Sequence, residues 1–97
     1  MVKHIVLWRL KEELSGEEKK AAALKIKELL EPLKESIPGV ISIKVVTEPL
    51  ATSTIDLALV SEYESTEALA NYAVHPLHVE AGKYIKSVTC HRECLDY

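Results

Sequence analysis

Read as a strand, the N-terminal run Val2 to Leu10 is largely apolar on both of its faces. Alternation places His4, Val6, Trp8 and Leu10 on one side and Lys3, Ile5, Leu7 and Arg9 on the other. A strand wetted on one side alternates apolar with polar, so this one calls for cover above and below. A chain of 97 residues has little material for two covers, because a domain of this size buries only about 60 to 65% of the surface exposed by its unfolded chain. The expected remedy is a second copy of the same chain.

The remaining elements follow from local chemistry. Ser15-Gly16-Glu17-Glu18 is a capping box, in which the serine hydroxyl accepts from the Glu18 amide and the glutamate reaches back to Ser15, so a helix is expected to begin there. Ala22, Ile26, Leu29, Leu30, Leu33 and Ile37 recur at steps of three and four and form its buried stripe. Lys19, Lys20, Lys25 and Lys27, balanced by neighbouring glutamates, read as its solvated face. Pro32 lacks an amide donor and clashes with the carbonyl of Glu28, which predicts a kink or new turn near Glu31 and a stop at Pro38-Gly39. Val40 to Thr47 reads as a second strand and Ile55 to Tyr63, with clean alternation, as a third. Ser65 or Thr66 caps a helix that Pro76 interrupts, since the residue before a proline disfavours helical geometry and proline suits the first position of a new helix. That new helix is expected to end at Gly82 or Lys83, with a fourth strand over Lys86 to Leu95.

The resulting order, β-α-β followed by β-α-β in one domain over residues 1–97, matches the ferredoxin-like α+β arrangement, βαββαβ. Its four-stranded antiparallel sheet carries helices on one face. The free apolar faces of two such sheets would close on each other.

Composition narrows the function classes. Twelve Lys plus Arg against 15 Asp plus Glu give a formal charge of −3, and the basic residues are scattered, which speaks against nucleic acid and anionic membrane surfaces as partners. The longest apolar runs, Ile5 to Trp8 and Leu57 to Val60, are far shorter than a membrane span, and the first residues lack a signal-peptide layout, so a cytoplasmic location is expected. Cys90 and Cys94, four apart in a strand, lie too far apart to pair and are read as reduced thiols.

The opening Val2-Lys3-His4-Ile5-Val6-Leu7, the segment Asp56 to Tyr63, the element Tyr72-Ala73-Val74-His75-Pro76-Leu77-His78 and the closing Asp96-Tyr97 resemble the stress-responsive dimeric α/β barrel (Dabb) family across essentially the whole chain. The resemblance implies a homodimer whose two sheets close into a barrel. Most members have no assigned reaction, while at least one plant member is a polyketide cyclase. In that relative a tyrosine and the second histidine of His-Pro-x-His form an acid/base pair, and the motif maps them onto Tyr72 and His78. Neutral imidazole can remove a proton next to a carbonyl and a phenol can hold or donate one, without a metal or organic cofactor. A strand-three histidine of the cyclase is replaced here by apolar residues around Leu57.

His4 projects with Val6 and Trp8, so His4, His75 and Trp8 are candidates for lining the same pocket. Competing structural roles are a helix cap for His75 and core packing for Tyr72 and Trp8. His75, His78 and Glu80, or Cys90, His91 and Cys94, are the available metal-ligating groups. The first lacks the His-Glu-x-x-His spacing, and in the second His91 points away from both cysteines, so no metal site is expected. Three functional readings emerge: a stress-responsive homodimer with no assigned reaction that serves assembly or binds a small carbonyl-containing or apolar ligand, a cofactor-independent lyase or cyclase using His78 and Tyr72, or a purely structural oligomer.

Overall fold

The computed structural model describes residues 1–97. In chain order the elements are β1 (Val2–Leu10), α1 (Gly16–Leu30), α2 (Leu33–Ser36), β2 (Val40–Val46), β3 (Leu57–Tyr63), α3 (Thr66–Val74), α4 (Pro76–Val88) and β4 (Thr89–Asp96). The capping box forms as the sequence requires: Ser15 Oγ accepts from the Glu18 amide at 3.1 Å, and the Ser15 amide donates to Glu18 Oε1 at 2.8 Å. Pro32 separates α1 from the single turn α2. Gly39 then reverses the chain with φ of 85°, a left-handed conformation costly for any residue bearing a Cβ.

The helix after Pro76 runs to Val88, beyond the expected end at Gly82 or Lys83, and the fourth strand correspondingly starts at Thr89 rather than Lys86. Ala81 and Ile85 lie one turn apart and are both buried, and Tyr84 and Val88 pack against the same core. That apolar face outweighs the cost of about 1 kcal/mol for a mid-helix glycine. The helix closes at Thr89, whose hydroxyl donates to the Ile85 carbonyl at 2.8 Å. β3 starts at Leu57 rather than Ile55 because Asp56 is used elsewhere. Its carboxylate accepts from the Leu10 amide at 2.8 Å and its own amide donates to the Trp8 carbonyl at 3.1 Å.

The strands form one antiparallel sheet in the order β2-β3-β1-β4. Register places His4, Val6 and Trp8 beside Ser61, Leu59 and Leu57 on the helix side. Against them pack Ala22, Ala23, Ile26 and Leu30 of α1, Ala68 and Tyr72 of α3, and Ala81 and Ile85 of α4, all buried. The β2 edge is closed by α1: the Glu31 carboxylate accepts from the Val45 amide at 3.0 Å and is itself held by Lys27 at 3.3 Å. An edge amide satisfied this way is not free to pair with a foreign strand.

No helix covers the opposite face. There Ile5 pairs with Val60 on one side and Leu95 on the other, and Leu7 pairs with Ala58, so apolar side chains run side by side across three strands. Val60 and Leu95 are 41% and 59% exposed. β4, the other edge, is exposed along nearly its whole length. No helix is long and apolar enough to cross a membrane.

Two glycines are expected to respond oppositely to alanine. A Cβ on Gly39 would fall 2.6 Å from the Ala68 Cβ, whereas one on Gly82 meets nothing within 4 Å. Urea unfolding should show Gly39→Ala losing about 2 kcal/mol and Gly82→Ala gaining about 0.5 to 1 kcal/mol.

Candidate functional site

The His-Pro-x-His element is built around the break at Pro76. His75 takes extended geometry, with φ of −62° and ψ of 135°, as a residue before proline prefers. α3 ends there and α4 starts on the proline. His75 is the N-cap of α4, its Nδ1 accepting from the Leu77 amide at 3.2 Å. His78 lies one turn into α4 and reaches back to α3, with Nδ1 3.0 Å from the Ala73 carbonyl. Carbonyls near the end of a helix lack intrahelical partners, and this one is satisfied by the imidazole. Since a carbonyl only accepts, Nδ1 carries the proton, and the lone pair of neutral His78 is on Nε2.

Between the sheet and α4 lies a cavity of about 390 Å³, within the range of small-ligand sites. Val6, Trp8, Leu59 and Ile85 provide apolar wall, and the polar groups facing it are His4, His78, Lys86 and Arg92. α4 supplies one wall of the cavity through His78, Gly82, Ile85 and Lys86, and Arg92 of the exposed strand β4 supplies part of the other. Of the residues proposed from sequence, His4, Trp8 and His78 line it. His75 does not, because its ring is turned to the Leu77 amide.

Tyr72 does not line it either; it backs His78. The Tyr72 and His78 ring centres are 4.4 Å apart, Tyr63 lies 5.0 Å beyond Tyr72, and His4 meets Tyr63 edge-on at 6.1 Å. This aromatic column holds the two histidines in fixed orientations. The Tyr63 hydroxyl donates to Ser61 Oγ at 3.0 Å, and Ser61 donates to the His4 carbonyl at 3.0 Å. The Tyr72 hydroxyl is buried without a hydrogen-bond partner, so it forms no hydrogen bond to His78. Burial, reinforced by the Tyr63 phenol beside it, pushes the Tyr72 phenol well above its ordinary pKa. His78 moves the other way. Burial lowers its pKa, the Ala73 carbonyl partly opposes this, and electrostatic repulsion from the nearby His4 and Arg92 side chains lowers it further. It is thereby kept as free base at neutral pH.

His4, 8% exposed, hydrogen-bonds through Nδ1 to the Asp96 carboxylate. Cys94 joins them, with Sγ 3.7 Å from His4 Nδ1 and 3.6 Å from Asp96 Oδ1. Burial, then the Asp96 charge, raise the Cys94 thiol. Neither metal grouping weighed from sequence assembles. His91 turns to the outer face and pairs with Glu93 at 2.9 Å, Cys90 points to the Leu10 carbonyl, and Glu80 pairs with Lys83 at 3.2 Å. Both thiols are free, as expected. Sequence reasoning missed Arg92 and Lys86, and it set Cys94 beside Cys90 and His91 rather than beside His4 and Asp96. The usable signal was alternation, which puts Arg92, Cys94 and Asp96 on one face of β4.

The stress responsive A/B barrel domain matches residues 2–97. The chain belongs to the Dabb family. Among solved structures, this Dabb chain is similar to a dimeric ferredoxin-like protein of unknown function from Bacteroides fragilis, at 36% identity and a TM-score of 0.91, covering 99% of this chain and 93% of that one. It is also similar to an Arabidopsis thaliana protein, at 23% identity and a TM-score of 0.81 over 100% and 93% of the two chains. A third is the hydroxynitrile lyase from Passiflora edulis, at 22% identity and a TM-score of 0.79 over 99% and 90%. The last two likenesses are at the level of the fold. No match was found among proteins of curated function.

The depressed His78 pKa fixes the sign of a pH effect. Unfolding lets His78 bind a proton more readily, so its contribution to stability is full above the unfolded value of about 6.5 and is lost as pH falls through the lower folded value. Urea midpoints measured from pH 7.5 to 5 should fall toward the acid end, and His78→Gln should flatten that slope. A parent midpoint that rises on acidification would contradict the assignment.

Proposed function

We propose that this Dabb chain is a homodimeric protein binding a small carbonyl-containing ligand in the helix-side cavity, with His78 as the general base of a cofactor-independent lyase or cyclase type of proton transfer. The observation that carries the reading is the Nδ1 bond from His78 to the Ala73 carbonyl, which commits the proton to one nitrogen and the lone pair to the other. A base removing a proton next to a carbonyl must be unprotonated at working pH and held still, and burial plus the Tyr72 ring supply both conditions.

Proton removal leaves negative charge on the carbonyl oxygen. Lys86 and Arg92, which face the cavity and make no ion pair, are the cations placed to meet it. The imidazolium of His78 can then return the proton to product. Tyr72 acts through its ring, by positioning His78, since its hydroxyl is not presented to the cavity. Dimerisation is supported by the uncovered apolar sheet face and by the dimeric description of the Bacteroides fragilis relative. A compartment in the cytoplasm fits the two reduced thiols.

The direct test uses ethyl acetoacetate in deuterated buffer, following loss of the proton between its carbonyls by proton spectroscopy. The chain should accelerate exchange above an equal concentration of imidazole, and His78→Gln should remove about 99% or more of that acceleration. Tyr72→Phe should retain activity within about tenfold, whereas a loss as large as that of His78→Gln would make the hydroxyl a proton carrier. Exchange unchanged by His78→Gln would refute the role of His78. No acceleration by the parent would leave binding or assembly as the function.

A further inference from the structure

His4, Cys94 and Asp96 carry no proton in the transfer assigned to His78, and their donor atoms all lie within 4.8 Å of one another. We propose that these three side chains form a binding site for a zinc-class divalent cation, through His4 Nδ1, Cys94 Sγ and an Asp96 carboxylate oxygen.

The geometry is set by the sheet. β1 and β4 pair His4 with Asp96 and Val6 with Cys94, so Cys94 and Asp96, two apart, share the face from which His4 projects. In tetrahedral zinc with bonds of about 2.0 to 2.3 Å, sulfur sits about 3.5 Å from each nitrogen or oxygen donor. Cys94 Sγ lies 3.7 Å from His4 Nδ1 and 3.6 Å from Asp96 Oδ1, close to both of those edges. The third edge is closed by a direct hydrogen bond from His4 to Asp96. It must open, and Asp96, whose side chain is 47% exposed, has the freedom to turn while the ring of His4 stays fixed against Tyr63.

Nitrogen, sulfur and carboxylate together suit zinc better than calcium or magnesium, which take oxygen ligands. Binding moves the imidazole proton of His4 to Nε2 and releases the thiol proton to solvent. A carboxylate and a thiolate then neutralise the two charges of the ion. A fourth position stays open for water, as in zinc sites with three protein ligands. Arg92, on the same face of β4 two residues before Cys94, opposes the cation, so removing its charge should tighten the site.

The full chain, treated with chelator and dialysed, should take up a single Co²⁺ per protomer with a sulfur-to-cobalt charge-transfer band, and micromolar Zn²⁺ should displace it. Cys94→Ser should abolish the band, Asp96→Asn should weaken binding about tenfold or more, and Arg92→Gln should strengthen it. Cys90→Ser, which removes the other free thiol, should leave the band intact, and circular dichroism of each variant reports on folding. A band lost with Cys90 instead of Cys94, or no band and no zinc uptake by the parent, overturns the proposal. Neither outcome bears on His78, whose exchange assay needs no metal.

Discussion

The structure depends on a sheet whose central strand is apolar on both sides. β1 is hydrogen-bonded to β3 along one edge and to β4 along the other, so its side chains have nowhere to go but the two faces. Helices α1, α3 and α4 bury the face carrying Val6, Trp8 and Leu10. The face carrying Ile5 and Leu7 has no such layer. Apolar surface removed from water stabilises by about 25 cal/mol per Å², so covering a row of aliphatic side chains left open on a small domain would favour association.

The same sheet positions the site. β4 is an exposed edge strand, and its Arg92 faces the cavity together with side chains of β1 and α4. Pro76 then decides what faces that cavity. By ending α3 and restarting the chain as α4, it leaves a terminal carbonyl at Ala73 that only a side chain can satisfy, and His78 does so. A single proline thus separates two histidines three residues apart: His75 caps a helix, and His78 is held against Ala73 and faces the cavity.

Much of this was legible in the sequence because it rests on local rules. Alternation in β1 and β3, the Ser15 capping box and the proline breaks give the element order, and that order gives the topology. The Tyr72 to His78 segment lies beside the cavity, and His78 of that segment lines it. What was hidden depends on packing and register. Whether Gly82 ends a helix is decided by how well Ala81 and Ile85 bury on either side of it. That His4 meets Asp96 and Cys94 follows from the pairing of two strands separated by nearly the whole chain, and no local pattern encodes that pairing. The motif likewise does not show which way the Tyr72 hydroxyl turns: its ring packs on His78 while the hydroxyl is buried and unpaired.

A second copy closing over the Ile5, Leu7, Val60 and Leu95 face would complete the fold. Light scattering on the eluting chromatographic peak, at micromolar concentration, tests it most directly. The parent should scatter with the mass of two chains, and Val60→Glu, which places a charge at the middle of that face, should shift it to the mass of one. A parent that scatters as a single folded chain would contradict the account.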